Sequence, residues 1–268
     1  MQRVAWSLAF ASVLVLAASV PASGSPGDPP GDPLTVVAFG DGTARAGHGV
    51  DRADVFPAVY AALLADALGV EVEVVNRASG VVGPPAHWGS DIRSSGPLGT
   101  ALARADVVIV WACFTDSIDK NTDYEPHQWP DPIRDRLTTG VWSSLAAPDR
   151  FGPDVAVPLR AVVPEHATIL IGDCFMPSKV IYAHAGQPYW PELEQLLYGE
   201  WRAAISRAAV EIDAVVVATN AALNGSDGAT AVNPAFVLRD GPFRFSEAGH
   251  RFLAELFRQH DGLGGWTD

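Results

Sequence analysis

"AFGDGTARAG", residues Ala38–Gly47, follows the apolar residues Leu34, Val36 and Val37 and precedes a long stretch of helical spacing. A buried strand that runs into a Gly-Asp turn, and then through a loop into a helix, is the opening unit of an alternating α/β chain. The following helix is expected over Phe56–Leu68 and ends at Gly69, where a C-cap glycine belongs. The same alternation continues outward from this unit. Glu71–Val75 alternates charge with valine as a strand, Leu98–Arg104 is a short helix, and Asp106–Ala112, "DVVIVWA", is a continuous apolar run of the kind buried on both faces. Val155–Val163 reads as a helix interrupted by Pro158, and Ala167–Ile171 as a fourth strand. Pro191–Glu211 carries Leu193, Leu196, Leu197, Trp201, Ile205 and Ala208 at spacings of three and four. Ala214–Ala218 gives a fifth strand, and Ser246–Phe257 a last helix with Ser246 as its N-cap. The expected fold is a three-layer, doubly wound α/β sandwich around a five-stranded parallel sheet, with function gathered at the carboxyl ends of the strands.

The ends of the chain and its composition narrow the context. Arg3, the uncharged apolar run Val4–Val20 and the small residues up to Ala22 have the form of a secretory signal peptide (1–22) cleaved near Ala22. Residues 23–33, "SGSPGDPPGDP", are a Pro/Gly linker, and the domain occupies 34–268. Within it, 114–151 is rich in Asp, Pro, Thr and Trp without a clear period and reads as an insertion at a functional mouth. With 18 Lys and Arg against 31 Asp and Glu, a net charge of −13, the chain is a poor partner for nucleic acid and anionic lipid. No membrane span remains after signal cleavage, and a secreted monomer is expected. Cys113 and Cys174 each stand at the end of a predicted strand. They are either a bridge between neighbouring strand ends or two buried thiols, and export favours the bridge.

Four blocks together resemble the SGNH or GDSL hydrolase family, over essentially the whole stretch from Val36 to about Phe257. "VVAFGDGTARAG" is similar to the Gly-Asp-Ser block, with Gly42 at the serine nucleophile. "VVNRASG" resembles the turn whose glycine, here Gly80, donates an N–H to the oxyanion. "VVIVWACFTD" resembles the strand that ends in Gly-x-Asn-Asp, with Cys113, Thr115 and Asp116 at those three places. "LRDGPFRFSEAGHRFLAEL" resembles the block in which an Asp, here Asp240, precedes the catalytic His by three residues. Counting forward from Asp240 puts Phe243 at the His, and counting backward from "SEAGH" puts Arg244 there. His250 receives no role from the resemblance.

What the resemblance implies about fold is therefore at odds with what the residues imply about chemistry. Ester cleavage of this type needs an activated hydroxyl, a base to take its proton, an acid to orient the base and N–H donors for the oxyanion. Gly42 has no side chain, and neither Phe243 nor Arg244 accepts a proton near neutral pH. Because such residues act as a unit, the loss is expected to be close to complete. A Thr43–His48 pair is a conceivable substitute, against the plainer reading of a turn-capping threonine and a surface histidine; Ser79 and Ser90 are ordinary turn serines. Asp41, Asp116, Asp173 and Asp240 stand near strand ends where a carboxylate cluster would hold a hard cation. Asp41 and Asp116, however, match acidic positions that are structural in the family, which leaves Asp173 without such a role, and no metal or cofactor is assigned. Trp88, read as a loop residue, and Phe114 are candidate binding aromatics with Asp41 and Arg244 beside them, whereas Trp111 and Trp201 belong to the core. The expectation is a ligand-binding pseudoenzyme taking a small-molecule, acyl or glycan ligand. The alternatives are an active esterase with a rebuilt site and a structural or interaction domain.

Overall fold

A computed structural model describes residues 32–40, 42–45, 47, 49–78, 85–111, 150–175, 196–226, 228, 230–238 and 241–263. They lie within the compact unit Asp32–Asp268. The elements in chain order are β1 (Leu34–Gly40), a 3-10 turn (Gly42–Ala44), α1 (Phe56–Leu68), β2 (Val72–Asn76), α2 (Pro85–Arg93), α3 (Pro97–Leu102) and β3 (Val107–Trp111). After these come a π-helical turn (Gly152–Ala156) leading into α4 (Val157–Val162), then β4 (Thr168–Gly172). A second π-helical turn (Leu196–Trp201) leads into α5 (Arg202–Glu211), followed by β5 (Val215–Val217), α6 (Thr219–Asn224), β6 (Val237–Leu238), β7 (Gly241–Phe245) and α7 (Glu247–His260).

The five long-range strands form one parallel sheet in the order β2-β1-β3-β4-β5, and β6 and β7 form a separate antiparallel pair. The chain first steps from β1 outward to β2, then reverses across β1 to β3, β4 and β5. With right-handed crossovers, that reversal places α1 on one face and the later helices on the other. The contacts agree: α1 packs on α7, while α2, α3, α4 and α5 pack with the first π-turn as the opposite group. This is the expected three-layer sandwich. The central strands are its core, with Val36, Val37, Val107, Val108, Ile109, Val110, Leu170 and Ile171 fully buried, as a sheet covered on both faces requires.

Local chemistry explains most of the boundaries. α1 stops at Gly69, whose φ of +67° closes the helix through an N–H bond to the Ala65 carbonyl. Ser246 caps α7 by accepting from the Gly249 N–H at 3.2 Å. Pro158 falls in the first turn of α4, directly after the π-helical turn, so the helical run changes type beside the proline rather than continuing as one regular α-helix from Val155.

The helix α2 was not expected at all. Gly89 at its centre would argue for a loop, yet a Cβ there would lie 1.9 Å from the Asp154 carbonyl oxygen. The glycine is where α2 presses on the π-turn. Trp88 is accordingly helical and 7% exposed within the core, which corrects its reading as a loop residue. Among the described residues no helix is long and apolar enough to cross a membrane.

Candidate functional site

The carboxyl ends of β1, β3, β4 and β5 come out flush. Gly40 pairs with Trp111, Trp111 with Gly172, and Gly172 with Val217. Both neighbours of Trp111 are glycines for steric reasons. A Cβ on Gly40, whose φ is +132°, would meet the Trp111 carbonyl oxygen at 1.9 Å, and one on Gly172 would lie 2.9 Å from the indole ring and 3.0 Å from the Phe257 ring. The space is taken by aromatic packing beneath the mouth. The Trp111 ring lies 5.3 Å from Phe56, 6.1 Å from Phe245, 6.2 Å from Phe257 and 6.4 Å from Phe175. Trp111 is fully buried, as the sequence implied, and its indole N–H has no hydrogen-bond partner among the described residues.

The turn that carries Gly42 follows directly from β1, as the Gly-Asp motif demands. It is held from the neighbouring strand end: the Asn76 side-chain amide donates to the Ala44 carbonyl at 2.8 Å, while its Oδ1 accepts from the Ala78 N–H at 2.9 Å. Asn76 thus ties the Gly42 turn to the backbone just past β2. The strand β7, which runs through Phe243 and Arg244, is a neighbour of the same turn. The two positions that the sequence resemblance assigns to nucleophile and base therefore belong to adjacent elements, and Arg244 is half-buried there. Asp41, His48, Ser79, Gly80, Cys113, Phe114, Thr115, Asp116 and Asp240 lie outside the described residues, as does most of the insertion. Cys174 is fully buried just past β4. Ser90 is an exposed helical residue of α2 rather than a turn serine.

Asp173, the carboxylate without a structural role in the sequence reading, has one. It is 3% exposed. Its Oδ1 accepts from the Thr219 hydroxyl and from the Asn220 N–H, each at 2.8 Å, and its Oδ2 accepts from Arg202 Nε at 3.0 Å. The Thr219 hydroxyl also lies within hydrogen-bonding reach of the Asp173 carbonyl, and the Asn220 amide donates to the Cys174 carbonyl at 2.9 Å. Asp173 thereby fastens the end of β4 to the start of α6 and to α5. Among the described residues no group of three or more His, Cys, Asp or Glu is placed to hold a metal ion.

One residue of this region escaped the sequence reading. His250 is 2% exposed in the first turns of α7. Its Nδ1 accepts from the Phe56 N–H at 3.2 Å, which supplies α1 with the cap that Val55 cannot. Its ring stacks on Phe56 at 6.4 Å and meets Phe245 edge-on at 5.9 Å. Burial pushes the imidazole down to a pKa of about 4, so it is neutral at pH 7 and carries its proton on Nε2. The available signal was a histidine on the buried side of an amphipathic helix.

No protein-family model and no curated protein matches the sequence. Solved structures do resemble the fold. A lipase from a goat rumen metagenome superposes with a TM-score of 0.57 at 15% identity, covering 86% of this chain and 98% of its own. A GDSL-like protein from Parabacteroides merdae gives a TM-score of 0.50 at 12% identity, covering 86% and 96%. At such identities the likeness is one of architecture, and it spans nearly the whole of both neighbours.

Proposed function

We propose that this chain, which has the fold of the SGNH/GDSL hydrolases, is a secreted, catalytically degenerate relative of those enzymes whose cleft binds a small-molecule, acyl or glycan ligand. The observation that carries the reading is Gly42. It occupies the 3-10 turn at the end of β1, next to the strand that holds Phe243 and Arg244. Neither position supplies a hydroxyl to attack or an imidazole to take its proton, and an acyl transfer without both keeps only the modest acceleration that binding and N–H donors give. Asn76 braces the turn by donating to the Ala44 carbonyl. The fold alone would argue for hydrolysis, but activity follows from the residues in the site.

The test is hydrolysis of a short-chain activated aryl ester by the chain from Ser23 onward. It is run beside two double variants, Gly42→Ser with Phe243→His and Gly42→Ser with Arg244→His. The native chain is expected to show no turnover above buffer, and a gain in one variant would identify the residue at the base position. Turnover by the native chain that Thr43→Val abolishes would instead establish a rebuilt esterase site.

A further inference from the structure

We propose that His250 is an acid-released latch that joins α7 and the β6–β7 hairpin to the start of α1, and that its release opens the mouth between β7 and the Gly42 turn. For what the opening admits, the proposal rests on the ligand-binding reading above; the latch itself does not.

The hydrogen bond from the Phe56 N–H to His250 Nδ1 spans 194 residues, and it is the side-chain cap of a helix whose own N-cap residue, Val55, offers none. Behind the imidazole, Gly249 presses on the β6 side of the hairpin: a Cβ there would lie 2.1 Å from the Phe236 carbonyl oxygen. In front of it, Phe245 ends β7, the strand beside the Gly42 turn. Movement of His250 is therefore transmitted to β7.

Protonation reverses each favourable term. A hydrogen placed on Nδ1 faces the Phe56 N–H, donor against donor, and the new charge sits at the N-terminal ends of both α1 and α7, where the helix dipoles are positive. Among the described residues no acidic group pairs with this imidazole. The charged and titratable groups described on the packed elements are Asp51, Arg52 and Asp54 ahead of α1, Tyr60 and Asp66 on α1, Arg244 on β7, and Glu247, Arg251, Glu255, Arg258 and His260 on α7. Arg244 and Glu255 are half-buried, Tyr60 and Arg258 are buried, and the rest are exposed. Tyr60 and Arg258 both turn to Asp261. Burial is the one cause that depresses the imidazole.

The experiment is amide hydrogen exchange by NMR at pH 7, 5.5 and 4 without any ligand, corrected for intrinsic rates. An open form with an ordinary imidazole near 6.5, against a latched form near 4, predicts that opening rises about a hundredfold from pH 7 to pH 4. Phe56 and the amides of 241–250 should lose protection by that factor, while Val107–Val110 in β3 lose far less. His250→Asn keeps an acceptor for Phe56 but cannot titrate, so its profile should be flat. The latch is overturned if β3 and the α7 start lose protection together, or if His250→Asn shows the native pH profile. If that variant does not fold, titration of the native imidazole decides: a midpoint near 6.5 overturns the proposal, and one near 4 that coincides with the loss of Phe56 protection supports it. A failed ligand search leaves this profile unchanged, so the two readings fail separately.

Discussion

Replacing Asp261 tests how the last turn of the chain is secured. Asp261 is 5% exposed and receives three donors: Arg258 at 2.6 Å and the Leu263 N–H at 2.8 Å on Oδ1, and the Tyr60 hydroxyl at 2.8 Å on Oδ2. Burial first, and then the Asp261 charge, push the Tyr60 hydroxyl far above its ordinary pKa, so it remains a donor at every working pH. Asp261→Ala removes the acceptor of all three donors and the carboxylate that lies 2.6 Å from the Arg258 guanidinium, itself 3% exposed. Removing one partner of a buried pair costs about 3–5 kcal/mol, and Arg258 still donates to the Leu263 carbonyl at 2.8 Å. The expected loss is therefore near the middle of that range, about 4 kcal/mol, a large share of an ordinary stability of about 5–15 kcal/mol. Tyr60→Phe deletes one bond to a charged acceptor and should cost about 1.5–3 kcal/mol. The double variant Arg258→Met, Asp261→Leu removes both charges and should recover most of the loss. Urea unfolding followed by far-UV circular dichroism measures all three. An Asp261→Ala loss below about 1 kcal/mol, or a double variant as unstable as the single one, would refute the reasoning.

The depressed His250 pKa makes native stability pH-dependent. The unfolded chain binds a proton on this imidazole below its ordinary 6.5 and the folded chain only below about 4. The contribution is thus whole above pH 6.5 and is lost as pH falls to 4. At 1.36 kcal/mol per unit the whole term is about 3.4 kcal/mol, of which about 2.8 kcal/mol is lost between pH 7 and pH 4, where the folded imidazole is half protonated; it is read as the difference in urea unfolding free energy between the native chain and His250→Asn at the two pH values. Gly40→Ala forces a Cβ into the Trp111 carbonyl at a φ of +132°, and should cost about 3 kcal/mol or more or abolish soluble expression. Trp111→Phe removes an indole N–H without a partner among the described residues. The relief of about 1–3 kcal/mol offsets most of the lost ring contact. Its net effect in thermal melts should stay within about 1 kcal/mol, whereas Phe257→Ala, which removes a ring packed on the same indole, should cost about 3–5 kcal/mol.

Periodicity and punctuation were legible where one residue decides one boundary. Gly69 ends α1, Ser246 begins α7, and the valine-rich run before Trp111 is a strand buried on both sides. Features set by a distant partner were not. Gly89 reads as a breaker until Asp154 is known to press on it, and Trp88 was drawn into a loop by that same glycine. Asp173 looked unoccupied because Arg202, Thr219 and Asn220 reach it from far along the chain. The candidate site was legible only as a sequence of familiar turns with two wrong residues in them. That β7 lies beside the Gly42 turn, and that His250 pins the whole group to α1, depends on packing that no local pattern encodes.

The dependence of α1 on the far end of the chain has a consequence for biosynthesis. Its cap comes from residue 250 and the partner of Tyr60 from residue 261. On a ribosome the helix is made early, yet its two anchors are made 194 and 201 residues after the groups they hold. Until then the nascent polypeptide carries a first helix without its side-chain cap and a tyrosine without its acceptor. A chain cut short before His250 loses both long-range ties of α1 and keeps only its local signals, Pro57 at the start and Gly69 at the end.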